Sequence, residues 1–316
     1  MASETPIQRP KMEVQLGPVR LKNPVTVASG CYGYGANYRD FYDPSRLGAI
    51  FLKCVTPTER AGNAPQRLVE TPSGLLNAIG LQNVGIERFL AEVVPQIADV
   101  DTVFFANIGA EDLDGYALLA RRLSEVPKIS ALELNISCPN VKKGCLAFGA
   151  DPESALRATQ AAVQSGRLPV FVKLSPNVTN IGEIAQAAAQ GGAAGLSVIN
   201  TLLGMAIDIK TRRPKLANIT GGLSGPAIRP VAVRMVWECR KAVALPIIGM
   251  GGIMTWQDAI EFLLAGANAV AVGTANFVNP MAPIEILKGI EQYLIDNGFA
   301  SAAELCGALN MGKDNE

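Results

Sequence analysis

The sequence predicts an α/β fold, a TIM (β/α)8 barrel with an N-terminal hairpin and long βα-loop insertions at its C-terminal face. Three observations predict it. Short apolar runs recur eight times, and helix-like stretches separate them. The runs are brief and apolar throughout, which suits parallel strands covered on both faces. Glycine or polar residues gather where the runs end, and that is where a barrel places its active site. A doubly wound open sheet is the alternative arrangement of the same units. No composition shift divides the chain, so residues 1–316 are assigned to one domain.

In chain order, residues 12–24 (MEVQLGPVRLKNP) read as a hairpin turning at Gly17-Pro18 and closing the bottom of the barrel. The apolar runs follow at 25–28, 49–54, 102–107, 132–136, 170–174, 195–199, 246–250 and 269–273. Helical patterns lie at 113–124, 153–165, 181–190, 230–243, 255–265 and 281–297. Asp151-Pro152-Glu153 starts the second of these, and Thr255-Trp256-Gln257-Asp258 is a capping-type start for the fifth. Two connections, 55–85 and 200–226, are too long for simple βα turns. Both follow strand C-termini, where long ordered loops are usually functional and less often structural insertions.

Composition excludes several classes. The 28 basic and 28 acidic residues balance, so no basic surface is expected for nucleic acid. No apolar run approaches the ~18–20 residues of a membrane span. The N-terminus, MASETPIQRPKMEV, lacks the apolar core of a signal peptide, so a cytoplasmic location is expected. Cysteines at 31, 54, 138, 145, 239 and 306 form no CxxC pair and read as reduced thiols. No metal site is expected. The chain has no histidine, so acid–base work falls to Cys, Lys, Asp, Glu or Tyr.

Residues 131–150, ALELNISCPNVKKGCLAFGA, organise the rest. An apolar strand opens into Asn135, Ser137, Cys138 and Asn140, and Pro139 stops it because proline has no N–H to pair. Gly144 and Gly149 are candidate hinges in the loop that follows. Other runs also end in polar or flexible groups: Ser29-Gly30, Lys53, Asn107, Lys173, Asn200-Thr201, Gly251-Gly252 and Gly273-Thr274. Glycines after strands seven and eight let backbone N–H groups approach a phosphate, or serve tight turns alone. Neither dinucleotide nor P-loop spacing is present. Lys53 and Lys173 read as cations facing an anionic ligand, as Schiff-base lysines, or as members of structural ion pairs. Asn77, Asn107, Asn135 and Asn200 suit an amide- or imide-bearing ring, because each side chain both donates and accepts. Cys138 reads as a reactive thiol or a buried inert one, and Cys54 as a thiol lying against a ligand.

Four stretches carry a resemblance: TPSGLLNAIGLQN (71–83), ELNISCPNVKKGCLAFGADP (133–152), GGLSGPAIRPVAVRMV (221–236) and PIIGMGGI (246–253). They resemble dihydroorotate dehydrogenases of class 1, most of all class 1B, the NAD-dependent catalytic subunit. The likeness runs from about residue 14 to 309. It implies a single FMN-binding barrel domain. FMN would contact Ser29, Lys53, Cys54, Asn107, Asn135, Lys173, Ile199, Gly225, Gly251, Gly252, Gly273 and Thr274. Substrate would contact Lys53, Asn77, Ala78, Ile79, Gly80, Leu81, Asn135, Asn200 and Thr201. The chain departs from the family pattern at Cys54, where a hydroxyl residue is expected, and at Cys145, where glycine is expected.

The implied reaction oxidises dihydroorotate to orotate in pyrimidine synthesis. Cys138 takes the C5 proton, with Ser137 or water as relay, and a hydride passes from C6 to the flavin. Lys53 faces the substrate carboxylate, Lys173 faces the flavin edge where negative charge builds, and the 138–149 loop excludes water as a lid. Electrons continue to NAD through a partner subunit carrying FAD and an iron–sulfur cluster, on a homodimeric core that makes a heterotetramer. The alternatives are a class 1A-type enzyme using fumarate and a Schiff-base barrel aldolase.

Overall fold

Each predicted run forms a barrel strand within two residues of its expected bounds. The computed structural model describes residues 9–136 and 148–312. The strands are Val25–Val27, Ala49–Val55, Val103–Ile108, Ala131–Asn135, Val170–Leu174, Gly195–Val198, Ile247–Met250 and Ala269–Val272. All pair in parallel with their neighbours in chain order, and the last closes on the first through Val270↔Val25, so the sheet is a TIM barrel and not an open sheet. The predicted helices form as Leu113–Leu123, Pro152–Ser165, Ile181–Gln190, Arg229–Ala242, Trp256–Leu264 and Ala282–Asp296. Their starts follow side-chain chemistry. Asp151 accepts from the Ser154 N–H at 3.0 Å with Pro152 in the first turn, and Thr255 and Asp258 form a reciprocal capping box.

Side chains along a strand alternate faces, so positions two apart look the same way. That periodicity builds the barrel interior in layers. Phe51 stacks on Phe105 with ring centroids 4.3 Å apart, and Phe105 meets the edge of Phe171 at 5.0 Å. Gly195 makes room for this layer, since a Cβ there would fall 2.2 Å from Phe171 Cε1. Two residues on along the same strands come Lys53, Asn107, Lys173 and Ser197, and Glu133 is in register with Asn107. The barrel is therefore floored with aromatics and topped with polar groups at the strand C-termini. Phe171→Ala should cost about 3–5 kcal/mol, because it empties the centre of the aromatic layer. Denaturant unfolding of the variant measures this, and a loss below ~1 kcal/mol would mean that the layer collapses to fill the space.

The hairpin forms as Val14–Leu16 against Val19–Leu21, turning at Gly17-Pro18 with Gly17 at φ 56°. A Cβ at Gly17 would lie 3.1 Å from the Ala194 carbonyl oxygen and 3.9 Å from Pro246 Cγ, at the entries of strands six and seven. The hairpin thus sits under the N-terminal end of the barrel, where Leu16 and Leu21 are fully buried.

The two long connections are more ordered than loops. They pair with each other in one antiparallel sheet, ordered Leu202–Met205, Thr220–Ser224, Gly74–Asn77, Leu68–Thr71. The join between insertions is Gly222↔Asn77, Leu223↔Leu76 and Ser224↔Leu75. A short ribbon, Ile207–Asp208 with Arg213–Pro214, extends beyond it. After the first insertion's strands the chain makes an unpredicted helical turn, Gly85–Arg88, continued by a π turn and a 3-10 turn to Ile97. Pro95 has no N–H for an α ladder there.

Candidate active site

The strand C-termini and the paired insertions enclose one cavity of about 700 Å³. From the barrel come Ser29, Lys53, Cys54, Asn107, Asn135, Lys173, Ile199, Gly251, Gly252, Gly273 and Thr274. From the insertions come Asn77, Ala78, Ile79, Gly80, Leu81, Asn200, Thr201 and Gly225. Every predicted site residue among the described ones therefore lines this space. Ser137, Cys138, Asn140, Gly144 and Cys145 lie outside the described residues, as does the predicted lid up to residue 147. Gly149 is described, and its N–H donates to the Ile136 carbonyl at 2.8 Å.

The cationic side of the cavity is built on strands two to five. Lys173 is buried, with Nζ 3.7 Å from Glu133 Oε2, and the same oxygen accepts from Asn107 Nδ2 at 2.5 Å. Lys173 thus lines the cavity and is a member of an ion pair, the second being one of the readings open for it in the sequence. Lys53 is half-buried, and desolvation, with the nearby positive charge of Arg67, holds its ammonium below the ordinary lysine range while Cys54 acts against the shift. Cys31 also lines the cavity. Burial pushes its thiol up to about 11 against the pull of Lys173, so at neutral pH it stays protonated.

The amides are braced from behind. The Tyr116 hydroxyl donates to the Asn135 carbonyl at 2.9 Å, and Asn200 Oδ1 accepts from the Thr201 N–H at 2.8 Å. Asn77 Nδ2 donates to the Gly222 carbonyl at 3.2 Å, tying the two insertions together over the cavity. Asn107 Oδ1 is buried and has no partner among the described residues, leaving an acceptor at the cavity wall for a ligand donor. Opposite lies a glycine cradle, with Gly225, Gly251 and Gly252 at φ 97°, 129° and 79°. A Cβ on Gly252 would fall 2.6 Å from the Gly225 carbonyl oxygen.

Several lining residues carried no legible signal in the sequence. Arg67 donates to Gln82 Oε1 at 2.6 Å and to the Asn63 carbonyl at 3.1 Å, holding the first insertion closed. Asn177 bridges the Thr201 carbonyl and the Leu203 N–H at 3.2 and 2.8 Å. Asn218, Thr220, Ser224 and Phe277 complete the rim.

Among the described residues no three His, Cys, Asp or Glu side chains come together as a metal-binding group, and no helix is long and apolar enough to cross a membrane. The dihydroorotate dehydrogenase family model matches residues 11–294. The chain is 55% identical over 300 residues to "Dihydroorotate dehydrogenase B (NAD(+)), catalytic subunit" of Desulforamulus reducens, covering 95% of this chain and 99% of that one. Proteins of the same name from Trichlorobacter lovleyi and Anoxybacillus flavithermus are 54% and 52% identical over 301 and 297 residues. These cover 95% and 94% of this chain, and 99% and 95% of theirs.

Proposed function

The chain belongs to the dihydroorotate dehydrogenase family, and on that premise we propose that it is the FMN-binding catalytic subunit of an NAD-linked enzyme. It oxidises dihydroorotate to orotate in pyrimidine synthesis, as a single FMN-binding barrel domain in the cytoplasm. One observation carries the reading. A single cavity joins a glycine cradle and a buried lysine, which donate to a phosphate and an electron-rich ring edge, with an asparagine oxygen, unpartnered among the described residues, that accepts from an imide N–H.

When bound, FMN supplies the hydride acceptor. Gly225, Gly251, Gly252, Gly273 and Thr274 hold its phosphate. Ser29, Lys53, Cys54, Asn107, Asn135, Lys173 and Ile199 hold the ring system. Lys53 pairs with the substrate carboxylate, and Asn77 through Leu81, Asn135, Asn200 and Thr201 orient the substrate ring. Cys138 takes the proton. Lys173 has a carboxylate 3.7 Å away, the surroundings of a fixed cation and not of a Schiff-base amine.

The chain's scattered cysteines do not supply the closely spaced run of an iron–sulfur site. The reading therefore puts FAD and the cluster on a partner subunit, two of which join a homodimeric core in a heterotetramer. The purified chain should show a flavin absorption band. Dihydroorotate should bleach it and artificial dyes restore it, while NAD alone should not. Colourless protein trapped by borohydride with its substrate would point to the aldolase instead. Rapid NAD reduction by the isolated chain would remove the need for a partner.

A further inference from the structure

The strand Ala131–Asn135 carries one charged residue, Glu133, and pairing with strand three sets it beside Asn107. Glu133 is fully buried. Its Oε2 accepts from Asn107 Nδ2 and lies 3.7 Å from Lys173 Nζ, while Oε1 has no hydrogen-bond partner among the described residues. A carboxylate at that depth is costly to hold charged without a counter-ion, and its ion pair among the described residues is with Lys173. The three groups come from three adjacent strands, so sheet register fixes their spacing and no loop is involved. Lys173 and Asn107 line the cavity and Glu133 does not. The cation and the amide face the cavity, and the negative charge stands behind them.

From this stacking we propose that Glu133 is a positioning residue: its carboxylate braces Lys173 and Asn107 at the cavity wall and offsets part of the lysine's charge. It thereby sets how strongly the site favours an anionic ligand. The inference rests on the reading above, in which that ligand is reduced flavin. Removing the negative charge takes that offset away and strengthens the preference for the reduced form.

Glu133→Gln is the test, because glutamine keeps an oxygen to accept from Asn107 and removes the charge, with its NH2 replacing Oε1, which has no hydrogen-bond partner among the described residues. The readouts are the potential of bound FMN, its occupancy and the thermal melt. We expect the ratio of affinities for reduced over oxidised FMN to rise at least about tenfold, ~30 mV towards positive for a two-electron couple. Lys173→Gln should move the potential the opposite way. An E133Q protein that holds FMN at an unchanged or lower potential overturns the proposal, whatever its melting temperature. If E133Q does not hold FMN, Glu133→Asp decides, since it keeps the charge. A ratio within about threefold of wild type supports the proposal, and any larger shift overturns it. Wild-type protein that binds no FMN would instead overturn the functional reading beneath it.

Discussion

Gly252→Val is expected to yield folded, colourless protein with FMN affinity reduced at least ~100-fold, about 2.7 kcal/mol. Gly252 has φ 79°, a region that a β-branched residue enters only under strain. A Cβ there would also lie 2.6 Å from the Gly225 carbonyl oxygen and 3.1 Å from the Arg229 backbone nitrogen. The end of the second insertion and the loop after strand seven meet at this point. Valine would force apart the two turns that we propose cradle the phosphate. Gly273 offers the contrast. Its hypothetical Cβ meets Ala28 Cβ and Cys31 Sγ at an ordinary 3.8 Å, so Gly273→Ala should keep the fold and perturb the cradle less. Flavin absorbance per mole of protein, read beside far-UV circular dichroism, checks both variants. Stoichiometric FMN in folded G252V would show that the phosphate lies elsewhere.

The barrel was legible because a strand buried on both faces leaves a nearly continuous apolar run, and residues 269–273 (AVAVG) and, but for Lys173, 170–174 (VFVKL) are such runs. The helices were legible to within a residue or two from caps such as Asp151 and Thr255. The sheet over the barrel was not. Its strands alternate between half-buried and exposed positions, as in Leu68–Thr71 and Leu202–Met205, and include Gly204, Gly221 and Gly222. Pairing across well over a hundred residues of sequence, Asn77 with Gly222, leaves no local pattern in either partner.

The site divides the same way. Lys53, Asn107 and Lys173 stood out as polar residues breaking apolar runs, and their shared face follows from period two. Glu133 broke its run just as plainly. Its meaning depends on register with Asn107 and distance to Lys173, and one strand read alone contains neither. Arg67 and Asn177 act through loop carbonyls and amides at long range, a type of contact that residue identity does not announce. Cys138 is the reverse case. It was singled out by sequence and lies outside the described residues.

Cys138→Ser should keep FMN and orotate binding and lose ~10²–10⁴-fold in turnover at neutral pH, the usual share of a general base. The groups around the cavity favour Cys138 by their own chemistry. The chain contains no histidine. The Cys31 thiol, pushed up to about 11 by burial, offers far less thiolate at pH 7 than a thiol at its ordinary value. Lys173 is paired with Glu133, which is fully buried and absent from the cavity wall. Lys53 is assigned to the substrate carboxylate. In sequence Cys138 comes three positions after Asn135, which ends the strand Ala131–Asn135 and lines the cavity. A free thiol ionises near ~8.5, so wild-type turnover should rise with pH as the thiolate fraction grows and then level off. Serine ionises far higher, so the C138S rate should keep climbing across the same range without a plateau. Stopped-flow bleaching of the flavin by dihydroorotate measures this half-reaction without the partner subunit. If Cys138→Ala bleaches as fast as wild type, the proton goes to another group.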